Sequence, residues 1–577
     1  MCPIRNVDVL ATTVSGTINV NFNDAATNAD LSWGSGEVGL VNAAGDKAVL
    51  GRLPGQGSFS VLVAAGTYDL YYRGSTSSAP VANTYVKFQS GIVVGASPLS
   101  LDVAIPVTPV STTITLNGAA LPTSAAQSQG FFELRKATGD YSRLAQVSAG
   151  TSSMLVVAGT YDLYYSGSDL TASEMLPTNT SARLQTGIVV GTSPLSLEID
   201  VPFTTVTVSV GADAVAGLPV GLSLFTLKND AGDNVPLNLT STPGAFSSAV
   251  IPGTYDLYYG PAHGGHDGLP ENHLDKLRSG IVVGTAPLTL EMDLPTVTSV
   301  SGKVTVNGAR VSRISGVECL TLKSAADSVD LFLDTASAYS TRVIPGTYDL
   351  TYTGTCNTAG APVNNSTNIK SGIVVGTSPL ILDIDIPATT VSGRVTVNGA
   401  GSTGSASADG GPSVVLIGAT GSQAPLSSLG ASSFSVLVIP GTYDLYYRLG
   451  VFDNLGPGVP INTKALLKEG IVVGTSSLAL DIDVPAVTVS GAFTINGAAV
   501  PFSSGVGVGL LTLDGLEGDS GPLAFTASDS TNPSDVARGA FSALVIPGSY
   551  QLSYRVYREG PGIPSNSRVD LGAFNVP

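Results

Sequence analysis

The sequence predicts an all-β protein made of six tandem seven-stranded antiparallel β-sandwich domains arranged as a rod. Three observations lead there: a long internal repeat, apolar and polar residues that alternate within each repeated phrase, and a turn-rich composition. Among 577 residues, Gly (68) and Pro (35) are abundant and only 12% are charged, while 43% are hydrophobic. That profile suits many short strands joined by tight turns and lacks the charged, alanine-rich character of helical arrays.

The repeat has a period of about 94 residues. The phrase AGTYDLYY at 65–72 returns in each unit, and its glycines are 93, 94, 93, 95 and 107 residues apart: Gly66, Gly159, Gly253, Gly346, Gly441 and Gly548. The predicted domains, numbered as units 1 to 6, are 11–106, 107–202, 203–296, 297–387, 388–485 and 486–577, preceded by an orphan strand at 1–10.

Each repeated phrase has the pattern of a strand or a turn. In TYDLYY, Tyr68, Leu70 and Tyr72 fall on one face and the residues between them on the other, which is the period of two expected for a strand. LDIDIP at 382–387 alternates in the same way, and VTVNGA at 304–309 contains Asn-Gly, a strong hairpin signal. Counting all such stretches gives about seven strands per unit.

The linkers between units are very short. Only residues 388–390 separate LDIDIP from the VSG that opens the next unit. Such joints leave little freedom, so we expect a semi-rigid rod, and six end-to-end sandwiches with strands rising about 3.3 Å per residue reach roughly 200 Å.

The phrases VSGxVTVNGA and FSxxVxPGTYDLxY resemble those of the carboxypeptidase regulatory-like domain, most faithfully at 300–388 and 391–485. The resemblance touches all six units. It implies an immunoglobulin-like or transthyretin-like sandwich of the kind found in tandem on bacterial surface proteins. It also implies a scaffold or adhesion role and carries over no catalytic residues.

The two ends of the chain are complementary. Residues 4–10, IRNVDVL, match 381–387, ILDIDIP, the last strand of a unit, whereas unit 6 stops where that strand would begin. Gly572–Pro577 followed by Met1–Leu10 restores the 16 residues that run from Gly470 to Pro485. We therefore predict that the first strand of one molecule completes the last sandwich of the next, giving a head-to-tail filament.

This prediction names two sets of residues. The donor strand comprises Ile4, Asn6, Val7, Asp8, Val9 and Leu10. The acceptor edge comprises Gly572, Ala573, Phe574, Val576, Tyr550 and Leu552. The alternative is a rod-like stalk segment of a larger cell-surface adhesin that binds a glycan or a protein, because a segment spanning whole periods also has matching ends.

Candidate chemistry is sparse and local. His263, His266, Asp267 and His273 lie in one variable loop and have a spacing that suits zinc or nickel, against the simpler explanation of a chance loop composition. The paired carboxylates Asp383/Asp385 and Asp481/Asp483 suit calcium, although polar residues are ordinary on an exposed strand face. Apart from that possible calcium, no cofactor is expected.

The three cysteines and the outward tyrosines leave several interpretations open. Cys319 and Cys356 lie in one unit and form a disulfide in an exported protein or stay as two thiols, and Cys2 is an intermolecular, lipidated or incidental thiol. Outward tyrosines bind glycans or pack laterally, or else pair across strands: Tyr71, Tyr164, Tyr258 and Tyr446.

Several function classes are disfavoured. The net charge of −17 without a basic patch argues against nucleic acid, and no apolar run approaches the roughly 20 residues that cross a bilayer. No triad order, HExxH motif or phosphate-binding loop is present, which argues against an enzyme. The sequence therefore predicts an extracellular or cell-surface structural protein whose main partner is itself.

Overall fold

A computed structural model describes residues 6–21, 36–53, 58–74, 81–120, 130–146, 151–167, 176–260, 269–310, 318–325, 327–354, 360–401, 412–429, 431, 433–450, 458–499, 509–515, 518–525, 540–556 and 562–577. The regular secondary structure of the described part is almost entirely β-strand, as predicted, with one short 3-10 helix at Ala212–Val215. None of its helices is long or apolar enough to cross a membrane.

The strands follow the predicted units. Unit 1 contains β2 (Ala11–Asn21), β3 (Gly36–Val41), β4 (Lys47–Leu53), β5 (Ser58–Ala64), β6 (Gly66–Gly74), β7 (Val86–Val94), β8 (Leu99–Ser100) and the start of β9 (Val103–Leu116). Unit 2 contains the rest of β9, β10 (Ala119–Ala120), β11 (Phe131–Arg135), β12 (Tyr141–Gln146), β13 (Thr151–Val157), β14 (Gly159–Ser166), β15 (Ala182–Val190) and β16 (Leu195–Val201). Unit 3 contains β17 (Thr204–Ser209), β18 (Ser223–Lys228), β19 (Asn234–Leu239), β20 (Ala245–Val250), β21 (Gly253–Tyr259), β22 (Asp275–Val283) and β23 (Leu288–Glu291).

The second half of the chain repeats this order. Unit 4 contains β24 (Thr298–Val306), β25 (Ala309–Arg310), β26 (Glu318–Lys323), β27 (Ser328–Phe332), β28 (Ala338–Val343), β29 (Gly346–Tyr352), β30 (Thr367–Val375), β31 (Leu380–Ile381) and β32 (Ile384–Ile386). Unit 5 contains β33 (Thr389–Gly393), β34 (Val395–Val397), β35 (Ala400–Gly401), β36 (Ser413–Gly418), β37 (Gln423–Ser428), β38 (Phe434–Val438), β39 (Gly441–Arg448), β40 (Lys464–Val473), β41 (Leu478–Ala479) and β42 (Ile482–Val484). Unit 6 contains β43 (Val487–Ile495), β44 (Ala498–Ala499), β45 (Gly509–Asp514), β46 (Ser520–Phe525), β47 (Ala540–Val545), β48 (Gly548–Val556) and β49 (Arg568–Val576).

Each unit is a sandwich in which two layers of strands face each other, and in unit 3 the pairing of β19 with β20 joins the two layers into one seven-stranded sheet. In unit 4, the sheet β27-β26-β29-β30 faces a second sheet in which β24 lies between β28 and the last strands, β31 and β32. A separate apolar core fills each of the six sandwiches. The inward tyrosine and leucine of each GTYDLYY phrase enter it, as their period of two predicts, and Leu70 and Leu257 are fully buried.

The prediction of purely antiparallel sandwiches is wrong for one pair of strands. After the GIVV strand the chain crosses to the other sheet and runs parallel to the first strand of the unit, with Ile384 opposite Val304. The glycine of VSG makes room for this crossing. A Cβ on Gly302 would lie 2.1 Å from the carbonyl oxygen of Leu382, and one on Gly393 would lie 1.9 Å from that of Leu480.

The Asn-Gly turns form as the sequence predicts. Asn307 and Asn398 adopt φ values of 50° and 51°, in the left-handed region that asparagine tolerates, and a positive-φ glycine follows each of them. These turns matter beyond the hairpin because their side chains clamp the start of the next unit, where Asn398 Nδ2 donates to the Ala486 carbonyl.

The six units form a closed ring rather than the predicted rod. Unit 6 contacts unit 1 through hydrogen bonds such as Ala64 N–H to Asn566 Oδ1 at 2.8 Å, and strand β1 (Val7–Val9) pairs with β43 of unit 6 in its own chain. Every joint repeats one asparagine–tyrosine hydrogen bond, so each turns the chain by a similar angle. Closure at the sixth joint corresponds to a turn of roughly 60° per joint.

Candidate functional site: the ring closure

Strand β1 occupies the place of the missing last strand of unit 6. It runs parallel to β43, with Val7 opposite Phe493 and Val9 opposite Ile495. Units 4 and 5 show the same register, in which Ile386 lies opposite Val306 and Val484 opposite Val397. The predicted phase of the donor strand is therefore the one found, but the strand belongs to the same molecule.

The polar face of β1 also reproduces that of the other last strands. Asp8 Oδ1 accepts hydrogen bonds from Thr494 Oγ1 and from the Gly497 amide, both at 2.8 Å. In unit 4, Asp385 accepts from Thr305 Oγ1 at 2.7 Å and from the Gly308 amide at 2.8 Å. These two bonds hold the pKa of the Asp385 carboxyl below its usual value.

The turn asparagine then clamps the following residue. Asn496 Oδ1 accepts from the Ala11 amide at 2.9 Å, and its Nδ2 donates to the Ala11 carbonyl at 2.9 Å. Asn398 binds Ala486 by the same two bonds at 2.9 and 2.8 Å. Residues 6–11 thus dock on unit 6 as a covalently continuous strand docks on units 4 and 5.

The apolar face of β1 enters the core of unit 6. Val7 is 7% exposed and Val9 is fully buried, whereas Leu10 is 67% exposed and takes no part in the core. Ile4 lies outside the described residues. Four of the predicted acceptor residues share that core: Tyr550, Leu552, Phe574 and Val576.

The predicted acceptor edge is wrong as a pairing partner. Gly572 and Ala573 belong to β49, which pairs with β48, and β1 pairs instead with β43. The alignment of the acceptor is also displaced by one residue. Phe574, not Ala573, stands opposite Tyr550 as Ile471 stands opposite Tyr443, because unit 6 carries one more residue between its glycine and this point.

A second structural element joins the units, and the sequence patterns considered above did not predict it. An asparagine before each GIVV strand reaches into the next unit and donates to the first tyrosine of its GTYDLYY phrase. Asn83 donates to Tyr161 Oη at 3.2 Å, and Asn364 donates to Tyr443 Oη at 3.0 Å. The signal is visible as Pro-x-Asn in five units, with Val-Ala-Asn in unit 1.

The same asparagine–tyrosine contact is present at all six joints. The other pairs are Asn179 with Tyr255 at 3.0 Å, Asn272 with Tyr348 at 3.1 Å, Asn462 with Tyr550 at 2.9 Å and Asn566 with Tyr68 at 3.1 Å. The last of these connects unit 6 to unit 1 and closes the ring.

The joints are buried and polar. Each asparagine Oδ1 also accepts an amide hydrogen bond from the neighbouring unit, as Asn462 does from Ile546 at 2.9 Å. Burial raises the pKa of Tyr161 and of Tyr550 to about 12. At three joints a buried aspartate completes the network, and burial raises the pKa of one of them, Asp519, which accepts from Asn462 Nδ2 at 2.7 Å.

These contacts correct the predicted mode of assembly. In the structure the donor strand fills the last sandwich of its own chain, so unit 6 offers no vacant slot to a neighbour. The physical reason is the constant bend at each joint, which brings unit 1 back to unit 6 and makes the intramolecular partner the nearer one.

Within the described residues, the structure does not gather the candidate metal ligands into a site. Among the described residues no group of three or more His, Cys, Asp or Glu side chains comes together. Asp383 and Asp481 accept the amides of Lys303 and Arg394 at 2.9 Å, and Asp483 accepts Thr396 Oγ1 at 2.7 Å. These bonds account for the paired carboxylates as ties between first and last strands.

The remaining candidates lie largely outside the described residues, as do His263, His266, Asp267, Cys2 and Cys356. His273 Nε2 is 3.4 Å from Asp330 Oδ2, and its Nδ1 is 3.4 Å from Ser328 Oγ. Cys319 lies in β26. The disulfide and the histidine metal site stay predictions.

The four tyrosines predicted to face outward have cations beside their rings, and for two of them the outward prediction is wrong because they are buried: Tyr71 and Tyr446. Tyr71 is fully buried, with its hydroxyl 2.7 Å from Glu37 and the Lys47 ammonium 5.4 Å from its ring centroid. The Arg135 guanidinium lies 4.4 Å from the Tyr164 ring and the Lys464 ammonium 5.0 Å from that of Tyr446. Cation–π packing therefore occupies ring faces that the sequence pattern left open to glycans.

Comparisons with known proteins give only distant similarities. No family model matches the chain, so the resemblance to the carboxypeptidase regulatory-like domain is not confirmed, and no curated protein matches either. The Bacillus anthracis TIE protein is similar over 65% of this chain and 74% of its own, at 10% identity and TM-score 0.15. A streptococcal ancillary pilin covers 49% of this chain and 98% of its own, at 12% identity and TM-score 0.18.

A third similar structure is the minor pilin GBS52 of Streptococcus agalactiae, at 9% identity and TM-score 0.17, covering 33% of this chain and 94% of its own. Likenesses at these scores carry no argument about function. The contacts within the chain are the stronger guide to its role.

Proposed function

We propose that this chain is a non-catalytic structural protein of the cell surface, and that its functional form is a closed ring of six β-sandwiches serving as a subunit of a larger surface assembly. The observation that carries the proposal is the joint between Asn566 and Tyr68, which repeats between the last and first units the contact made at the other five. A chain built to remain an open spacer has no need of that sixth joint.

The ring suits a load-bearing role. In the described residues, five joints combine the buried asparagine–tyrosine contact with a continuous strand or an asparagine clamp that enters the neighbouring unit, so those units are tied at two places. Strand β9 runs unbroken from unit 1 into unit 2. Buried, fully bonded polar networks fix orientation, so the ring holds its shape rather than bending freely.

The exposed strand edges favour a soluble ring over uncontrolled edge-to-edge association. In the described part of the chain β7, β15 and β22 lie at sheet edges, and each carries a basic residue bonded to the aspartate of the adjacent TYD phrase, as Lys276 is to Asp256 at 2.7 Å. Lysines and kinks on edge strands oppose pairing with other chains. The kink is the positive-φ glycine of GIVV, whose amide donates to the same aspartate.

A binding scaffold is the second candidate. The segment before each joint asparagine varies strongly in sequence, as 261–268 (PAHGGHDG) and 355–359 (TCNTA) show, while the flanking strands keep theirs. A ring that carries six unlike segments on one repeated frame suits recognition of a glycan or protein. This is the adhesin alternative with a ring in place of a stalk.

Small-angle scattering of the purified protein tests the ring. A rod of roughly 200 Å has a radius of gyration of roughly 60 Å, whereas the same contour closed into a circle gives roughly 35 Å. Immunogold labelling of intact host cells tests the surface location. A rod-like scattering curve at low concentration, or label confined to the cell interior, would overturn the corresponding half of the proposal.

A further inference from the structure

The ring has one seam, which we define as the contacts of unit 6 with residues 6–11 and with unit 1. In units 1 to 5 the last strand comes from the same stretch of chain as the rest of the sandwich. In unit 6 it comes from β1, about 480 residues away in sequence, and that strand is only three residues long. β1 continues directly into β2 of unit 1 and meets unit 6 only through noncovalent contacts, so its release does not require unit 6 to unfold.

The polar network inside unit 6, beside the seam, is less complete than its equivalents in other units. The second tyrosine of each phrase normally donates to a carbonyl two residues before the joint asparagine, as Tyr165 does to Pro177 and Tyr447 to Pro460, both at 2.7 Å. Tyr554 is fully buried in unit 6, and its hydroxyl finds no partner among the described residues.

The seam also lacks an aspartate on its asparagine. Asn179 and Asn462 donate to Asp233 and Asp519 at 2.6 and 2.7 Å. In the described residues Asn566 Nδ2 donates to Tyr68 alone, because Asp46, at the corresponding turn, accepts from Asn42 Nδ2 at 3.1 Å. Hydrogen bonds to charged groups contribute more than neutral ones, so the seam lacks a stronger bond that three joints have.

We propose that the seam is the place where the ring opens, and that its two faces then bind a second copy of this chain, with residues 6–11 and unit 1 of one molecule docking on unit 6 of another. The proposal rests on the proposed function and describes how a closed ring opens to join the larger assembly. The closed ring is the resting state, and the assembled state exchanges an intramolecular seam for intermolecular ones of the same composition.

A second copy is the partner because it alone presents every complementary group. Unit 6 needs aliphatic side chains at the places of Val7 and Val9 and a carboxylate for Thr494 and Gly497, while unit 1 needs an amide at the place of Asn566. The intramolecular and intermolecular contacts are identical, so the equilibrium between the closed ring and the assembly depends on protein concentration. The geometry of the six joints sets the effective concentration of the intramolecular partner, and the closed ring dominates at protein concentrations below that value.

Charge gives the exchange a further signature. Each chain carries a net charge of −17, so two chains repel at low ionic strength and approach more readily when salt screens them. Opening of the ring involves only one chain, so it is not opposed by repulsion between two chains. Assembly is therefore expected to rise with both protein concentration and salt.

Cross-linking of mixed isotopes tests the exchange. The variant Asp8→Cys/Thr494→Cys, made with the three native cysteines replaced by serine, places a thiol on each of two directly paired residues. Equal amounts of heavy and light protein are mixed at increasing concentration and salt, oxidised and analysed by mass spectrometry. The matched control is Thr396→Cys/Asp483→Cys, the equivalent pair inside unit 5.

We expect heavy–light cross-linked species that increase with concentration and salt for the seam pair, and only intrachain cross-links for the control pair. Covalent joining of residue 577 to residue 1 is expected to abolish the mixed species. Intrachain links alone at every concentration would overturn the exchange while leaving the ring intact. Absence of any intrachain link at low concentration would instead overturn the ring itself.

Discussion

Truncation of Val9 weakens the ring closure, and the chain supplies its own control for the effect. Val9 and Val484 are both valines, are both fully buried and occupy the same place in units 6 and 5. Val9→Ala and Val484→Ala each remove two buried methyl groups, which costs about 2–3 kcal/mol of transfer and cavity free energy together. The two variants differ in how the molecule responds to that loss.

Strand β42, which carries Val484, is covalently continuous with both flanking units, so it cannot drift away when its packing weakens. Strand β1 continues into β2 of unit 1 and meets unit 6 only through noncovalent contacts. In Val9→Ala the whole cost therefore appears as opening of the seam, which increases the open population about 30- to 150-fold. In Val484→Ala most of the same free-energy cost appears as a lower free energy of unfolding of unit 5.

Amide hydrogen exchange reports the difference directly. The Asn496 amide donates to the Val9 carbonyl at 3.1 Å, and the equivalent Asn398 amide donates to that of Val484 at 3.2 Å. Val9→Ala is expected to accelerate exchange at Asn496 far more than Val484→Ala accelerates it at Asn398. Equal acceleration in the two variants would refute the reasoning that the seam opens without unfolding of a unit.

Three further variants test the joints and the strand crossing. Asn566→Ala leaves the buried Ala64 amide without its acceptor and removes the donor to the Tyr68 hydroxyl, which still donates to the Ala64 carbonyl, so denaturant unfolding should show a loss of about 1–3 kcal/mol and scattering a larger radius of gyration; an unchanged radius would contradict the role of this joint. Gly302→Ala should destabilise unit 4 by about 1–3 kcal/mol or more because of the clash with the Leu382 carbonyl, whereas Gly376→Ala, with open space around its Cβ, should be neutral in the same melts. Burial raises the pKa of Asp519, so its carboxyl favours folding most below its unfolded pKa of about 3.9, and that contribution is lost as pH rises through the folded pKa. The stability of the wild type relative to Asp519→Asn should accordingly fall as pH rises from about 3.5 to about 7, and a difference that grows with pH would contradict the assignment.

The sequence was sufficient to predict the strands and the register of the donor strand on unit 6. Period-two phrases specify which residues face the core, and the match of residues 4–10 to 381–387 placed Val7 and Val9 correctly against β43. The parallel pairing of first and last strands was missed, because alternation is the same in parallel and antiparallel strands. The repeated glycine of VSG was the available clue in the sequence, because a glycine marks a place where two strands approach closely, as they do at Gly302.

The closure of the ring was beyond the sequence for a different reason. Matching ends are equally consistent with a neighbour's strand and with the chain's own, and the choice depends on the small bend at each joint, which accumulates over six units. The joints themselves left a signal in the Pro-x-Asn repeat. That signal is easily overlooked because an asparagine before a strand is an ordinary turn residue.

A distance measurement between equivalent sites on units 1 and 6 tests the closed ring most directly. Spin labels at Val93 and Asn575, both exposed, occupy equivalent positions next to the end of β7 and of β49. A second sample labelled at Val93 and Val189 reports the ordinary separation of neighbouring units, 1 and 2. The closed ring predicts closely similar distance distributions for the two samples. A unit 1–unit 6 separation several times that between units 1 and 2 would contradict it.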